Sequence, residues 1–139
     1  MKKIILIMIG LSTALFASFS KNGNIVTDSN TGLQWQDDAI GTMMSWAAAI
    51  DHCEDLNLDL QNDWRLPNIK ELISIMDDTK INPSMEGAVF ANTASDIYWS
   101  STTFAYYSNY AWHVYFYNGF QDYYKKSDGG YVRCVRTGQ

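Results

Sequence analysis

Between residues 42 and 56 apolar side chains recur at steps of three and four, and Met43, Trp46, Ile50, Cys53 and Leu56 share one face of a predicted helix. Thr42 stands where a capping residue belongs. Cys53 then points into the core. A second helix opens at Pro67 and Asn68: Asn68 caps, and Glu71 three residues on completes a capping box. Ile69, Leu72, Ile73 and Met76 form its buried stripe before the polar Asp77, Asp78 and Thr79. Ahead of both, residues 24–27 and 32–36 read as a hairpin around the turn-rich Asp28, Ser29, Asn30 and Thr31. Past Pro83 the helical period does not return, and residues 98–100, 112–117 and 131–136 read as short strands. Helices followed by strands predict an α+β domain with an antiparallel sheet.

Alternation sharpens one strand. Trp112, Val114 and Phe116 fall on one face and His113, Tyr115 and Tyr117 on the other. Trp99, Trp112 and Phe116 are the expected interior residues.

At the N-terminus the order is that of a secretory signal peptide: Lys2 and Lys3, an apolar stretch over residues 4–16, then Ala17 and Ser18. The stretch is interrupted by Gly10, Ser12 and Thr13 and falls short of the ~20 residues a spanning helix needs. An uncleaved N-terminal anchor is the alternative. Cleavage is expected after Ala17, with Ser20 as the second choice, leaving residues 18–139 as a single exported domain with no membrane span. Losing Lys2 and Lys3 takes the formal charge from -5 to -7, which argues against nucleic acid as a partner. With 47% apolar and 18% charged residues the chain is globular rather than disordered. In an oxidising compartment the two cysteines, Cys53 and Cys134, invite a disulfide, two buried thiols being the alternative.

Four motifs occur in order: Thr27-Asp28 with Gly32-Leu33-Gln34-Trp35-Gln36-Asp37-Asp38; Asp63-Trp64-Arg65-Leu66-Pro67-Asn68 with Glu71-Leu72; Tyr98-Trp99-Ser100-Ser101-Thr102; and Tyr131-Val132-Arg133-Cys134-Val135-Arg136. Together they resemble the Lcl C-terminal domain family of exported bacterial domains, over nearly all of the chain beyond the leader. The resemblance implies a C-type-lectin-like fold, akin also to the formylglycine-generating enzymes, with two helices packed on short antiparallel strands. It also implies a Cys53–Cys134 disulfide between the first helix and the last strand, and an adhesive or ligand-binding role. The family is named after a collagen-like adhesin for sulfated polysaccharides. This chain has no basic cluster beyond Lys125 and Lys126, so heparin-type binding is not expected to carry over.

Asp63, Trp64, Arg65 and Pro67, beside a helix start, read as a structural clamp with a charged Asp63–Arg65 pair rather than as a catalytic group. Trp99, Trp112 and Arg133 join them as structural residues. Asp55, Asn57, Asp59, Gln61 and Asp63 alternate oxygen side chains as a calcium loop does. Leu60 replaces the required glycine, however, and Leu66 the bidentate glutamate, so a solvated loop is expected. No nucleophile with a base, metal triad or phosphate loop occurs in its usual context, and neither catalysis nor a cofactor is expected.

Residues 98–124 hold thirteen Phe, Trp or Tyr residues, more than a core absorbs. Tyr106, Tyr107, Tyr110, His113, Tyr115, Tyr117, Phe120, Asp122, Tyr123 and Tyr124 alternate with small polar residues, the composition of a binding surface for a protein or glycan on a cell surface. A homo-oligomer interface over the same patch is the alternative. One further reading concerns Tyr107, Ser108, Asn109, Tyr110, His113, Tyr115, Tyr117, Asn118, Phe120 and Asp122. All are types reached from an Asn codon by changing its adenines, set among the fixed Ala111, Trp112, Val114, Phe116 and Gly119. That is the pattern of retroelement-diversified proteins.

Overall fold

The structure, a computed structural model, describes residues 18–138. The expected leader, residues 1–17, lies outside them. In chain order the elements are β1 (Phe19–Asn22), β2 (Ile25–Asp28), β3 (Leu33–Gln36), α1 (Trp46–Asp55), α2 (Ile69–Ser74), β4 (Ile97–Thr103), β5 (Tyr110–Tyr115), β6 (Phe120–Lys125) and β7 (Val135–Thr137). They build one sheet in the order β1-β2-β3-β7 and another in the order β4-β5-β6, antiparallel throughout. The fold is α+β, with two helices, antiparallel sheets and one disulfide. No helix among the described residues is long and apolar enough to cross a membrane.

The expected hairpin is β2 and β3. β1 was not legible, because Ser20, Lys21 and Asn22 are exposed and only backbone pairing to β2 makes them a strand. Its one apolar anchor is Phe19, edge-on to Phe90 at 5.2 Å. α1 begins later than a Thr42 cap implies. Met44 is held extended by two backbone hydrogen bonds to Gly130, so the cap falls to Ser45, whose hydroxyl accepts from the Ala48 N–H. Met43 is left exposed, and Ala49 and Cys53 carry the buried face. α2 starts as expected: Asn68 Oδ1 accepts from the Glu71 N–H at 2.8 Å and Glu71 Oε1 from the Asn68 N–H at 3.0 Å.

The two helices bury opposite faces of the three-stranded sheet. Tyr98 and Val114 pack with Leu72 of α2 and with Ile75, while Trp99 and Ala111 pack with Ala49 and Cys53 of α1. The chain beyond β6 then ties the two sheets together. Gly130 lies against the Trp99 indole, where a Cβ would fall 2.8 Å from Nε1. Tyr131 exchanges backbone hydrogen bonds with Ile97 and Trp99, Val135 with Arg65, and β7 closes on β3. Cys134 is bonded to Cys53 with their Cα atoms 5.5 Å apart, across a separation of 81 residues. Closing a loop of that size contributes about 4 kcal/mol in the chain-entropy treatment.

Arg133, beside that disulfide, is 2% exposed. Its Nη1 donates to Gln36 O at 2.5 Å and Asp37 Oδ1 at 2.9 Å, and its Nη2 to Asn92 O at 2.9 Å and Thr93 Oγ1 at 2.8 Å. Asp37 also receives Lys21 Nζ at 2.5 Å and the N–H groups of Ala91 and Asn92, each at 3.1 Å. Burial pushes the Asp37 carboxyl up, but the hydrogen bonds from Lys21 and Arg133 hold it below the usual carboxylate range. Its contribution to stability is therefore complete above about pH 4 and is lost as the pH falls further.

Asp63 and Arg65 do not pair with each other as the sequence suggested. Each finds a partner from elsewhere in the fold. Arg65 grips Glu71 with two hydrogen bonds of 2.7 Å, and Asp63 receives Arg136 Nε at 2.6 Å and Nη2 at 3.2 Å. Trp64, buried between them, donates its indole N–H to Gln61 O, and Pro67 is buried at the entry to α2.

Removing one member of a buried ion pair leaves the other unpaired, so Arg133→Ala is expected to lower the unfolding free energy by about 3–5 kcal/mol. Arg65→Ala breaks a half-exposed pair and is expected to lower it by about 1 kcal/mol. Urea titration at pH 7, followed by tryptophan fluorescence, measures both. Equal losses would refute the ranking.

Candidate functional site

The aromatic residues gather on the hairpin of β5 and β6, which pair over six consecutive positions, from Tyr110 with Lys125 to Tyr115 with Phe120. Its turn is pinned. Gly119 adopts φ +82°, its N–H donates to Tyr115 O at 2.7 Å, and it lies against Met76 Sδ with no room for a Cβ. The register places Tyr110, Trp112 and Tyr123 on one face of the hairpin and His113, Tyr115, Phe120, Asp122 and Tyr124 on the other. All six residues of β6 are exposed, and β6 is the sheet's edge strand.

On the first face the rings converge on Phe104, which the sequence reading did not single out. Phe104 stacks on Tyr123 at 3.9 Å and 11°, and meets Trp112 edge-on at 5.4 Å, Tyr106 at 5.7 Å and Tyr107 at 6.0 Å. Tyr107 in turn touches Tyr110 at 5.7 Å. Trp112, expected in the interior, is only half-buried here, sharing its ring with this cluster. Just past β6, Lys126 ties the hairpin to the rest of the fold, donating to Thr103 Oγ1 at 2.9 Å and lying 3.9 Å over the Trp46 ring of α1. The outermost rings are Tyr106, 85% exposed, and Tyr107, 59% exposed.

The second face is looser. Tyr115 and Tyr117 stack at 5.8 Å, Phe120 stands 69% exposed at the turn, and Asp122 faces solvent with its Oδ1 accepting from the Tyr123 N–H. His113 does not belong to this open surface. It is 3% exposed, lying between Trp99 and the edge of Tyr124, and neither ring nitrogen has a hydrogen-bond partner. Strand alternation groups it with Tyr115 and Tyr117, but α1 and Tyr124 cover that part of the sheet. The expected set is therefore divided. Tyr106, Tyr107, Tyr110 and Tyr123 come together, Tyr115, Tyr117, Phe120, Asp122 and Tyr124 lie on the reverse, and the free edge of β6 is common to both.

The alternating oxygen side chains of residues 55–63 diverge. Asp59 accepts from Asn24 N–H at 2.8 Å and from Asn24 Nδ2 at 3.1 Å, while Asp63 is taken by Arg136. Among the described residues no group of three or more His, Cys, Asp or Glu is placed to hold a metal ion.

Residues 24–136 match the Lcl C-terminal domain. The chain belongs to the Lcl C-terminal domain family. No curated protein matches it. The motif residues of this Lcl C-terminal domain lie in its scaffold: Trp35, Trp64, Trp99, Arg133 and Cys134 are all buried. The exposed rings come from the stretches between the motifs.

Burial pushes the His113 imidazole down, against the carboxylates of Asp122 on β6 and Asp96 ahead of β4, which pull the other way. A neutral imidazole in the fold and a protonated one in the unfolded chain mean full stability above pH 6.5 and a decline below it. The urea midpoint is expected to be lower at pH 5 than at pH 7, and His113→Phe is expected to flatten that difference. An unchanged pH dependence in the variant would remove His113 as its source.

Proposed function

We propose that this chain is an exported, non-catalytic binding domain of C-type-lectin-like type, active after removal of residues 1–17. Its partner is a protein or a glycan on a cell surface, engaged through the tyrosine-rich hairpin of β5 and β6. The observation that carries this reading is the exposure of Tyr106 and Tyr107 in the loop leading into β5 and of Phe120 on the edge hairpin, whose β6 buries none of its six residues. Aromatic rings in that position contribute contact area with little loss of side-chain freedom. The lectin-like arrangement is supported by the pairing of β3 with β7 and by the disulfide between α1 and the segment leading into β7.

Diversification of this surface is part of the proposal. Ala111, Val114, Phe116 and Gly119 are buried, whereas Tyr107, Ser108, Asn109, Tyr117, Phe120 and Asp122 are exposed and free to vary without repacking the core. The same set also contains the half-buried Tyr110, Tyr115 and Asn118 and the buried His113. Resequencing the gene from sibling cells tests this, with substitutions expected at adenine-derived positions beside a near-identical template repeat; an invariant gene would refute it.

The second reading, a structural or oligomerising envelope component, is favoured by β6 being a free edge, since an unpaired strand edge pairs readily with another. The double variant Tyr106→Ala, Tyr107→Ala separates the two readings. It is expected to keep the unfolding free energy within about 0.5 kcal/mol and to abolish adhesion to cell surfaces and glycan arrays, with the unmodified chain monomeric by light scattering. An oligomer that the same substitutions dissolve would establish the interface instead.

A further inference from the structure

His113 sits where β6 joins the rest of the domain. On β5 it stands opposite Trp99 of β4 on one side and Asp122 of β6 on the other. Its ring meets Trp99 edge-on at 6.5 Å and Tyr124 at 4.7 Å, and α1 packs against the same face of the sheet with Ala49 and Cys53. Both ring nitrogens are sealed from water and unpaired. Of these neighbours, Tyr124 and Asp122 belong to the strand that can leave without disturbing the core, because β6 is an edge strand and all six of its residues are exposed.

An imidazolium has no partner in this closed arrangement. Two carboxylates are near enough to favour it, Asp122 on β6 and Asp96 ahead of β4. Each accepts from its neighbour's backbone instead, Asp122 Oδ1 from the Tyr123 N–H and Asp96 Oδ1 from the Ile97 N–H, both at 2.8 Å. Neither is bonded to the ring. Trp99, Tyr124, Ala49 and the disulfide-bonded Cys53 bring no charge to it. A charge buried without a partner is strongly disfavoured, so protonation has to wait until the ring reaches water. Lifting β6 takes Tyr124 off the ring and lets water in, at the cost of ladder bonds on one side of one strand.

We propose that His113 is a pH-sensitive latch beneath the tyrosine surface: its imidazole accepts a proton only when β6 has lifted from β5, so mild acid loosens β6 while the rest of the domain stays folded. That this strand carries the binding surface rests on the function proposed above. The loosening does not, and it is measured without a ligand.

The test is amide exchange of residues 18–139, followed by NMR at pH 7 and pH 5.5 and corrected for the intrinsic effect of pH. The Lys126 N–H donates to Asn109 O at 2.8 Å, so by alternation those of Tyr124 and Asp122 also face β5, and these amides report the opening of β6. A group that titrates at about 6.5 in the open state alone makes opening about eightfold more frequent at pH 5.5 than at pH 7. Protection of these amides is expected to fall by that factor. At both pH values it is expected to stay at least about tenfold below that of the Gln36 N–H, which donates to Cys134 O at 3.0 Å. His113→Phe is expected to abolish the pH effect. Tyr124→Ala, at an exposed position, uncovers the ring in the closed fold and is expected to bring the imidazole titration to about 6.5 and to remove the same effect. β6 protection that is unchanged or raised at pH 5.5, or equal to that of Gln36, would overturn the proposal. So would an imidazole that titrates at its ordinary value in the unmodified chain, since the ring would then be charged with β6 in place.

Discussion

A guanidinium withdrawn from water has to find its partners within the protein, and at Arg133 this fold supplies four of them. Its four paired N–H bonds reach Gln36 and Asp37 at the end of β3 and Asn92 and Thr93 ahead of β4. Asp37 extends the network to Lys21 on β1 and to the N–H groups of Ala91 and Asn92. Four separate stretches of chain are thereby brought to one ion pair. Because an imperfectly met buried charge is strongly destabilising, the arrangement selects one registration of these stretches over its neighbours. The Cys53–Cys134 disulfide, one residue away, secures the same segment to α1.

What was legible in the sequence was what is local. The capping box of α2 needs only residues 68–71, and the β2–β3 hairpin needs only its alternation and turn. The start of α1 was misplaced because the bridge that holds Met44 extended comes from Gly130, far along the chain. Asp63 and Arg65 looked like partners because they are two residues apart, yet their real partners are Arg136 and Glu71. β1 and β6 left no mark in the hydrophobic pattern, since neither contains a fully buried residue.

The candidate site was legible in composition but not in arrangement. A block of aromatic residues signalled a surface, and most of those named are exposed. Their division between two faces follows from the pairing of β5 with β6, and β6 was not visible in the pattern. His113 was misread for a related reason: alternation tells which residues share a face, not whether a face is wet, and this sheet is packed on both. Phe104, at the centre of the first cluster, sits in a connecting loop where no periodicity points to it.

The lone attachment of β6 also sets how the molecule breathes. It pairs with β5 on one side only, contributes no fully buried side chain, and is pinned at its turn by Gly119 against Met76 and at its far end by Lys126 over Trp46. β3, by contrast, is flanked on both sides and joined to the Arg133 network. Opening free energies should therefore form a gradient across the domain, with the amides of β6 exchanging with solvent through local fraying. Those of β3 should exchange only through events near the global unfolding limit. The strand that meets the outside world is thus the one the fold can release and re-form without disturbing its centre.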